Sequence, residues 1–504
     1  MAIAFERPAR RTPRDSVGVR RWVTYACGVV VLVRLIYVWQ PLRSDEGGYL
    51  LATRHWKTGG EFLYGDYHVD RPPLLMSIYR LAALSDWDPM IRALSIPFAV
   101  VAVAALARAG YLVAGGRGAC WSAAVAAALV TSPALAADQA DGELFALPIV
   151  AASVALTLEA WRARGCRRAF WYAVAAGVCA AAAPLIKQSF LDGLVFVLAL
   201  VTADSALRRR VLPGRARVVA VGAGLGAVVP LLAVLTWARS AGVDGTSLWA
   251  ELVAFRADAF AVIWQDSIHR PLTRGVRLVA LAIVSGMVPL AWAWRRATPT
   301  SPEHWAVSCT LVFAVAALLA GGSYWPHYLL QLVPMLALAA GIRAASDSVA
   351  GASMRWAARV TVLSAAVAAV VTTVAYAAVP GVWSLQRTGT WLAESSHPSD
   401  TAVVVYGHPS VLEAADLRSP YPYLWSLPVR TLDPELARLR ATLAGPEAPT
   451  WIVQTSALNS WNIDEGDQLR SVIKARYDVV ATICGHAVWL RSDLTRPAAA
   501  PPAC

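Results

Sequence analysis

Charge is scarce in this chain: Asp, Glu, Lys and Arg make up 15% of its 504 residues, against about 25% in soluble proteins. With 57% apolar residues, that scarcity excludes a soluble multidomain enzyme. Lysine is rarer still. Of 45 basic residues only Lys57, Lys187 and Lys474 are lysines, so the formal charge of +12 is an arginine charge, and nucleic acid is not an expected partner. The seven cysteines, at 27, 120, 166, 179, 309, 484 and 504, form no CxxC pair and no His/Cys cluster at zinc spacing, which argues against thiolate metal binding. Walker and Rossmann glycine fingerprints are missing too, so no nucleotide site is expected.

What is present is apolar sequence in long blocks. A helix must bury about 20 apolar residues to cross roughly 30 Å of hydrocarbon with its backbone satisfied internally. Blocks near that length cover residues 22–42, 91–113, 119–137, 143–160, 169–186, 190–206, 218–238, 273–294, 304–321, 326–342 and 360–379, predicting eleven spans. Residues 1–21 hold six arginines, and Arg162, Arg164, Arg167, Arg168, Arg295, Arg296 and Arg343 fall in alternate connections. Cytoplasmic loops retain arginine, so the N-terminus is expected inside and everything after Pro380 outside.

Three outer segments are long enough to carry function: residues 43–90, 239–272 and 381–496, the last followed by a Pro/Ala tail at 497–504. In the first, Tyr49 to Trp56 followed by Gly59-Gly60 reads as a short amphipathic helix on the membrane surface. Residues 381–496 alternate strand-like runs (402–406, 451–454, 479–483, 488–491) with helical patterns (435–443, 467–475), the signature of a small extracytoplasmic α/β domain.

Polar residues gather beside the outer ends of the spans. Asp45 and Glu46 follow Ser44 at a helix start, where carboxylates offset the dipole; the same position keeps Asp45 ionised, as a general base requires. Arg71, fixed before Pro72-Pro73, suits a phosphate through its two-pronged guanidinium, or pairs with Asp70. Asp138, Asp141 and Glu143 form a second acidic group. Lys187 cannot serve the inside-positive rule at an outer boundary, and His327 precedes the tenth span as either a structural or a functional residue. Arg34, inside the first span, either snorkels or pairs within the bundle. Topology puts Asp45, Glu46, Arg71, Asp141, Glu143, Lys187 and His327, from five distant segments, on one face. Carboxylates mixed with cations there fit an anionic lipid-linked substrate.

Those residues resemble the GT-C superfamily of membrane glycosyltransferases, in the branch of protein O-mannosyltransferases and aminoarabinose transferases. The resemblance is carried by Asp45-Glu46-Gly47-Gly48-Tyr49, Arg71-Pro72-Pro73-Leu74, Asp141-Gly142-Glu143, Leu185-Ile186-Lys187-Gln188 and the run from His327 to Pro334. It implies a helical multi-pass bundle at 22–380 with the α/β domain at 381–496. It also implies that Asp45 is the catalytic base and that Arg71 contacts the donor phosphate, although some members carry lysine there and alanine at the Gly47 position. Glu46, Asp141, Glu143, Lys187 and His327 are expected to bind substrate; Asp141 and Glu143 either orient hydroxyls or hold a divalent cation. The expected activity is inverting transfer of a hexosyl or pentosyl group from a polyprenyl phosphate to a hydroxyl of a glycan, glycolipid or protein at the outer face of the cytoplasmic membrane. Alanine and arginine richness suggests a GC-rich bacterium using mannose or arabinose carriers. The alternative is a transporter or lipid flippase, but polar groups at one interface and unmatched halves fit it less well.

Overall fold

The computed structural model describes residues 13–209, 211–212, 214–265, 269–296 and 301–504, so most of the basic N-terminus lies outside the described residues. The apolar blocks fall on helices: α1 (Pro13–Val38), α4 (Met90–Val130), α5 (Gly142–Arg162), α6 (Cys166–Ala182), α7 (Asp192–Arg208), α8 (Gly214–Ser240), α11 (His269–Val284), α12 (Met287–Arg295), α13 (Pro302–Ala320), α14 (Val333–Ala344) and α15 (Val349–Ala378). Between them come α2 (Ser44–Arg54), α3 (Pro73–Ala82), α9 (Gly245–Trp249) and α10 (Phe255–Gln265).

Among the described residues eight helices are long and apolar enough to cross a membrane, or nine with α11 and α12 taken as one bent span. The 41-residue α4 is two antiparallel arms. Gly115 adopts φ 72°, and a Cβ on Gly110 would sit 2.6 Å from the Gly118 carbonyl, a contact that a straight helix cannot make across eight residues. Arg34 fixes the open end of this hairpin, donating to Ser95 Oγ at 2.6 Å on one arm and, past the other, to the Ala137 carbonyl at 2.5 Å. Counting both arms and the 17-residue α7 gives one helix, or bent pair, for each apolar block. Three blocks differ from expectation. The third stops at Val130, the eighth bends by 72° between α11 and α12, where Gly286 takes φ 83° against Thr361, and the tenth opens with a 3-10 helix at Pro326–Leu332 that runs into α14.

The C-terminal domain contains a four-stranded sheet in the order β1-β2-β4-β3, formed by β1 (Ala402–Val405), β2 (Trp451–Gln454), β3 (Tyr477–Ile483) and β4 (His486–Arg491). β1 and β2 are parallel and the other pairs antiparallel. Five helices complete it: α16 (Ser384–Ser395), α17 (Ser410–Ala415), α18 (Ser426–Leu432), α19 (Ala437–Ala444) and α20 (Gln468–Arg476). The last residues strap back onto α16. Trp391 Nε1 donates to the Ala499 carbonyl, Ala499 N donates to Ser395 Oγ, and a Cys484–Cys504 disulfide closes the end.

This domain sits on the first loop. Arg438 pairs with Glu61 at 2.6 Å, Ser419 N donates to Tyr67 Oη at 3.0 Å, and Arg54 meets the buried Glu413 at 2.8 Å. The helix expected on the membrane surface, α2, is therefore covered: Glu46 to Thr53 are all buried, with α17 packed on it. Gly47 and Gly48 permit that contact. A Cβ at Gly47 would lie 2.6 Å from Ser410 Cα, and one at Gly48 would run into Trp425 Cζ2.

Candidate active site

Asp45 and Glu46 are neighbours in sequence with different surroundings. The helix starts one residue earlier than Ser44 would cap it, at Arg43, whose N–H donates to Glu46 Oε2 at 2.8 Å. Glu46 also receives Arg92 Nε at 2.7 Å, Arg92 Nη2 at 2.6 Å and the Ala140 N–H at 2.8 Å, and is completely buried. Burial alone would raise its pKa, but Arg92 and these hydrogen bonds hold it below the ordinary carboxylate value. Every strong acceptor direction of Glu46 is used inside the protein. The expected substrate contact is thus not available to it, and it ties α2 to α4.

Asp45 is left free of capping. Its Oδ2 accepts from Tyr49 Oη at 3.1 Å and faces Arg71 Nη2 at 3.6 Å, with about a third of its side chain exposed. Arg71 also grips Asp70 at 2.7 Å and lies over the Tyr49 ring, its guanidinium carbon 5.4 Å from the centroid. Arg71 thus pairs with Asp70 and also reaches Asp45. Burial works to lower its pKa, yet Asp70, Tyr49 and Asp45 outweigh it and secure the charge.

On the other side, Lys187 Nζ meets Glu143 Oε1 at 2.8 Å and lies 5.1 Å from the Tyr328 ring centroid. Burial would lower the lysine pKa, but Glu143 keeps it raised. His327 lies between the two acids, with Nδ1 3.2 Å from Asp141 Oδ2 and Nε2 3.8 Å from Glu143 Oε1. Neither Asp141 oxygen accepts a hydrogen bond, and burial together with Asp45 and Glu143 raises its pKa far above the usual range. Among the described residues no group of three or more His, Cys, Asp or Glu side chains is disposed to hold a metal ion. Asp141 faces His327, and Glu143 faces Lys187.

Sequence reasoning missed Arg256. It stands on α10, just after a π-helical turn at Ala250–Ala254, and reaches Asp70 Oδ2 at 2.7 Å, so Asp70 holds two arginines. Its only sequence signal was a lone arginine within an otherwise apolar part of the 239–272 segment. Arg256, Lys187, Gln188 and Glu143 line a cavity of about 350 Å³ together with the apolar Phe260, Ile263, Phe313 and Leu318. Leu318 also borders an apolar groove of about 630 Å³ between α11, α13 and α14, lined by Leu278, Val279, Leu311 and Leu336 among others.

By sequence, no protein-family model and no curated protein matches the chain. Solved structures do. ArnT from Cupriavidus metallidurans bound to undecaprenyl phosphate aligns with a TM-score of 0.63 at 15% identity, over 94% of this chain and 98% of that one. Its apo state gives 0.59 over the same shares. The Archaeoglobus fulgidus oligosaccharyltransferase in apo form gives 0.51 at 14% identity, over 80% of this chain and 64% of that one. The chain has the GT-C fold. Within the GT-C fold, Asp45, Arg71, Asp141, Glu143, Lys187 and His327 meet at the boundary between bundle and C-terminal domain, and Glu46 stands behind them.

Proposed function

We propose that this chain is a membrane glycosyltransferase that moves a sugar from a polyprenyl-phosphate donor to an acceptor hydroxyl on the outer face of the cytoplasmic membrane, in the synthesis of envelope glycan or glycoprotein. The observation that carries this reading is a cavity lined by Lys187 and Arg256 that neighbours an apolar groove between helices, Leu318 bordering both. A lipid phosphate has the matching shape, an anionic head on a hydrocarbon tail, and the ArnT structure in the same fold was solved with undecaprenyl phosphate. Orientation is supported by arginine-rich connections opposite the site, and by the Cys484–Cys504 disulfide, which an oxidising compartment preserves.

In this mechanism the acceptor oxygen attacks the anomeric carbon while the bond from that carbon to the phosphate oxygen breaks. Asp45 takes the acceptor proton. The electron pair leaves on the lipid phosphate, whose charge Arg71, Lys187 and Arg256 stabilise, so no general acid is needed. One displacement inverts the anomeric centre. Asp141, Glu143 and His327 orient sugar hydroxyls, while Asp70 holds the two arginines at a fixed spacing. A transport pathway would concentrate its polar groups near the bilayer midplane; here they cluster beside the helix ends.

Undecaprenyl phosphate binding to the full chain in lipid nanodiscs tests the donor assignment. Losing a charge-assisted bond costs about 1.5 to 3 kcal/mol, so Arg71→Ala is expected to weaken binding by about tenfold or more. Arg71→Lys keeps charge without the planar fork and falls between the two. Binding by Arg71→Ala within twofold of wild type would return Arg71 to a structural pairing with Asp70.

A further inference from the structure

α11 opens with Arg270 and Arg274 on one side of the helix, while Pro271, Leu272, Gly275 and Val276 from the same turns line the apolar groove of about 630 Å³. Residues four apart on a helix are neighbours, and like charges so placed repel. Among the described residues neither arginine makes an ion pair or a hydrogen bond. Each lies instead on an indole: the guanidinium carbon is 5.7 Å from the Trp461 centroid for Arg270 and 4.4 Å from the Trp325 centroid for Arg274. A guanidinium held over a ring face keeps its N–H donors free for a phosphate. Trp461 belongs to the C-terminal domain, where it and Asn462 take φ 59° and 58°. Left-handed backbone at two successive non-glycine residues persists only where surrounding structure enforces it. His269 and Thr273 complete a pocket of about 280 Å³ with the two arginines, and no acid lines it.

This pair stands close to the donor cavity without lining it. Trp325 precedes the 3-10 helix Pro326–Leu332, and Tyr328, one turn on, has its ring centroid 5.1 Å from Lys187 Nζ. One short segment therefore carries Arg274 on Trp325 and Lys187 on Tyr328, and Leu318 borders both the groove and the Lys187 cavity. Arginines near helix ends often snorkel to headgroups, but Arg274 is half-buried against Trp325. A soluble anion would use the arginines and leave the groove unexplained; a lipid phosphate uses both.

We propose that Arg270 and Arg274 form a second phosphate station, at which a polyprenyl phosphate is held outside the Lys187 cavity with its chain in the groove. The inference rests on the donor being such a lipid. Two guanidiniums that repel each other gain from an anion placed between them, since charge-assisted bonds to phosphate are the stronger kind.

Hydrogen exchange on the full chain in phosphatidylcholine nanodiscs tests this, with undecaprenyl phosphate or phosphatidylglycerol added at equal mole fraction. Undecaprenyl phosphate is expected to protect residues 270–276 as well as the segments around Lys187 and Arg256. Arg270→Gln combined with Arg274→Gln is expected to raise the lipid fraction for half-protection of 270–276 at least fivefold and that for the Lys187 segment less than twofold, at an unchanged melting midpoint. Arg164→Gln combined with Arg167→Gln, which removes two exposed arginines elsewhere, is expected to change neither. Val276→Trp fills the groove from an exposed position and keeps both arginines; it too is expected to raise the fraction for 270–276 at least fivefold, so the test does not depend on how the arginine pair folds. Protection around Lys187 with none at 270–276, an arginine pair variant that matches wild type, or equal protection of 270–276 by phosphatidylglycerol would overturn the station. Protection at 270–276 that persists when nothing around Lys187 and Arg256 is protected would support the station and count against the donor cavity, so the two failures are distinguishable.

Discussion

At the scale of single residues, the site holds two adjacent acids with different surroundings. Glu46 faces Arg92 inside the bundle, and Asp45 faces Arg71 at its edge. Removing one partner of a buried ion pair leaves the other charge uncompensated, at about 3 to 5 kcal/mol. Glu46→Gln is therefore expected to lower the thermal midpoint of the purified protein markedly, whereas Asp45→Asn leaves it near wild type. An unchanged midpoint in Glu46→Gln together with lost transfer would instead put Glu46 in the chemistry. The acid pair was legible in the sequence, but its division of labour was not. Arg92, the residue that claims Glu46, is an unremarked arginine at the start of an apolar block, far away in the chain. Arg256 was hidden for a similar reason: nothing local says that it turns toward Asp70.

At the scale of elements, α2 is held from both sides, by Arg92 through Glu46 and by α17 and Trp425 across Gly47 and Gly48. Adding a methyl group at Gly48 would overpack that contact, for which about 1 to 3 kcal/mol is usual. Gly48→Ala is expected to lower the melting midpoint and speed hydrogen exchange in α17, while Gly28→Ala, whose Cβ meets nothing within 4 Å, does neither. Equal behaviour of the two variants would mean that the domain does not press on α2. The amphipathic pattern of residues 49–56 announced a helix, but the same pattern fits a membrane surface or a protein face, and only the fold distinguishes them. The four strands and two of the domain's five helices were readable from alternation and helical period. The short α17 and α18 were not, because six or seven residues carry too little periodicity. The disulfide was equally silent, since two cysteines twenty residues apart have no fixed spacing signature.

At the scale of the whole molecule, the bundle and the C-terminal domain meet through Arg54 and Glu413, and that contact has a pH dependence of defined sign. Burial outweighs Arg54, with Asp88 and Asp416 adding to it, and pushes the Glu413 pKa up to about 8. The folded chain then keeps a proton that the unfolded chain releases near the ordinary value of about 4.3. The stabilisation is full below that value and is lost as pH rises through about 8. Glu413→Gln, neutral throughout, is expected to flatten the fall in melting midpoint between about pH 5 and pH 8.5; a variant curve parallel to wild type would remove Glu413 from the linkage. The account as a whole depends on a base at Asp45, which faces Arg71 where the bundle meets the C-terminal domain. The most direct test is transfer of radiolabelled sugar from a panel of polyprenyl-phosphate mannose and arabinose donors by the full chain in membrane vesicles. Wild type is expected to transfer from at least one donor, and Asp45→Asn, nearly the same size and lacking only the carboxylate, is expected to lose about a hundredfold to ten-thousandfold in rate while still binding undecaprenyl phosphate. Transfer by Asp45→Asn within a few-fold of wild type would contradict the account.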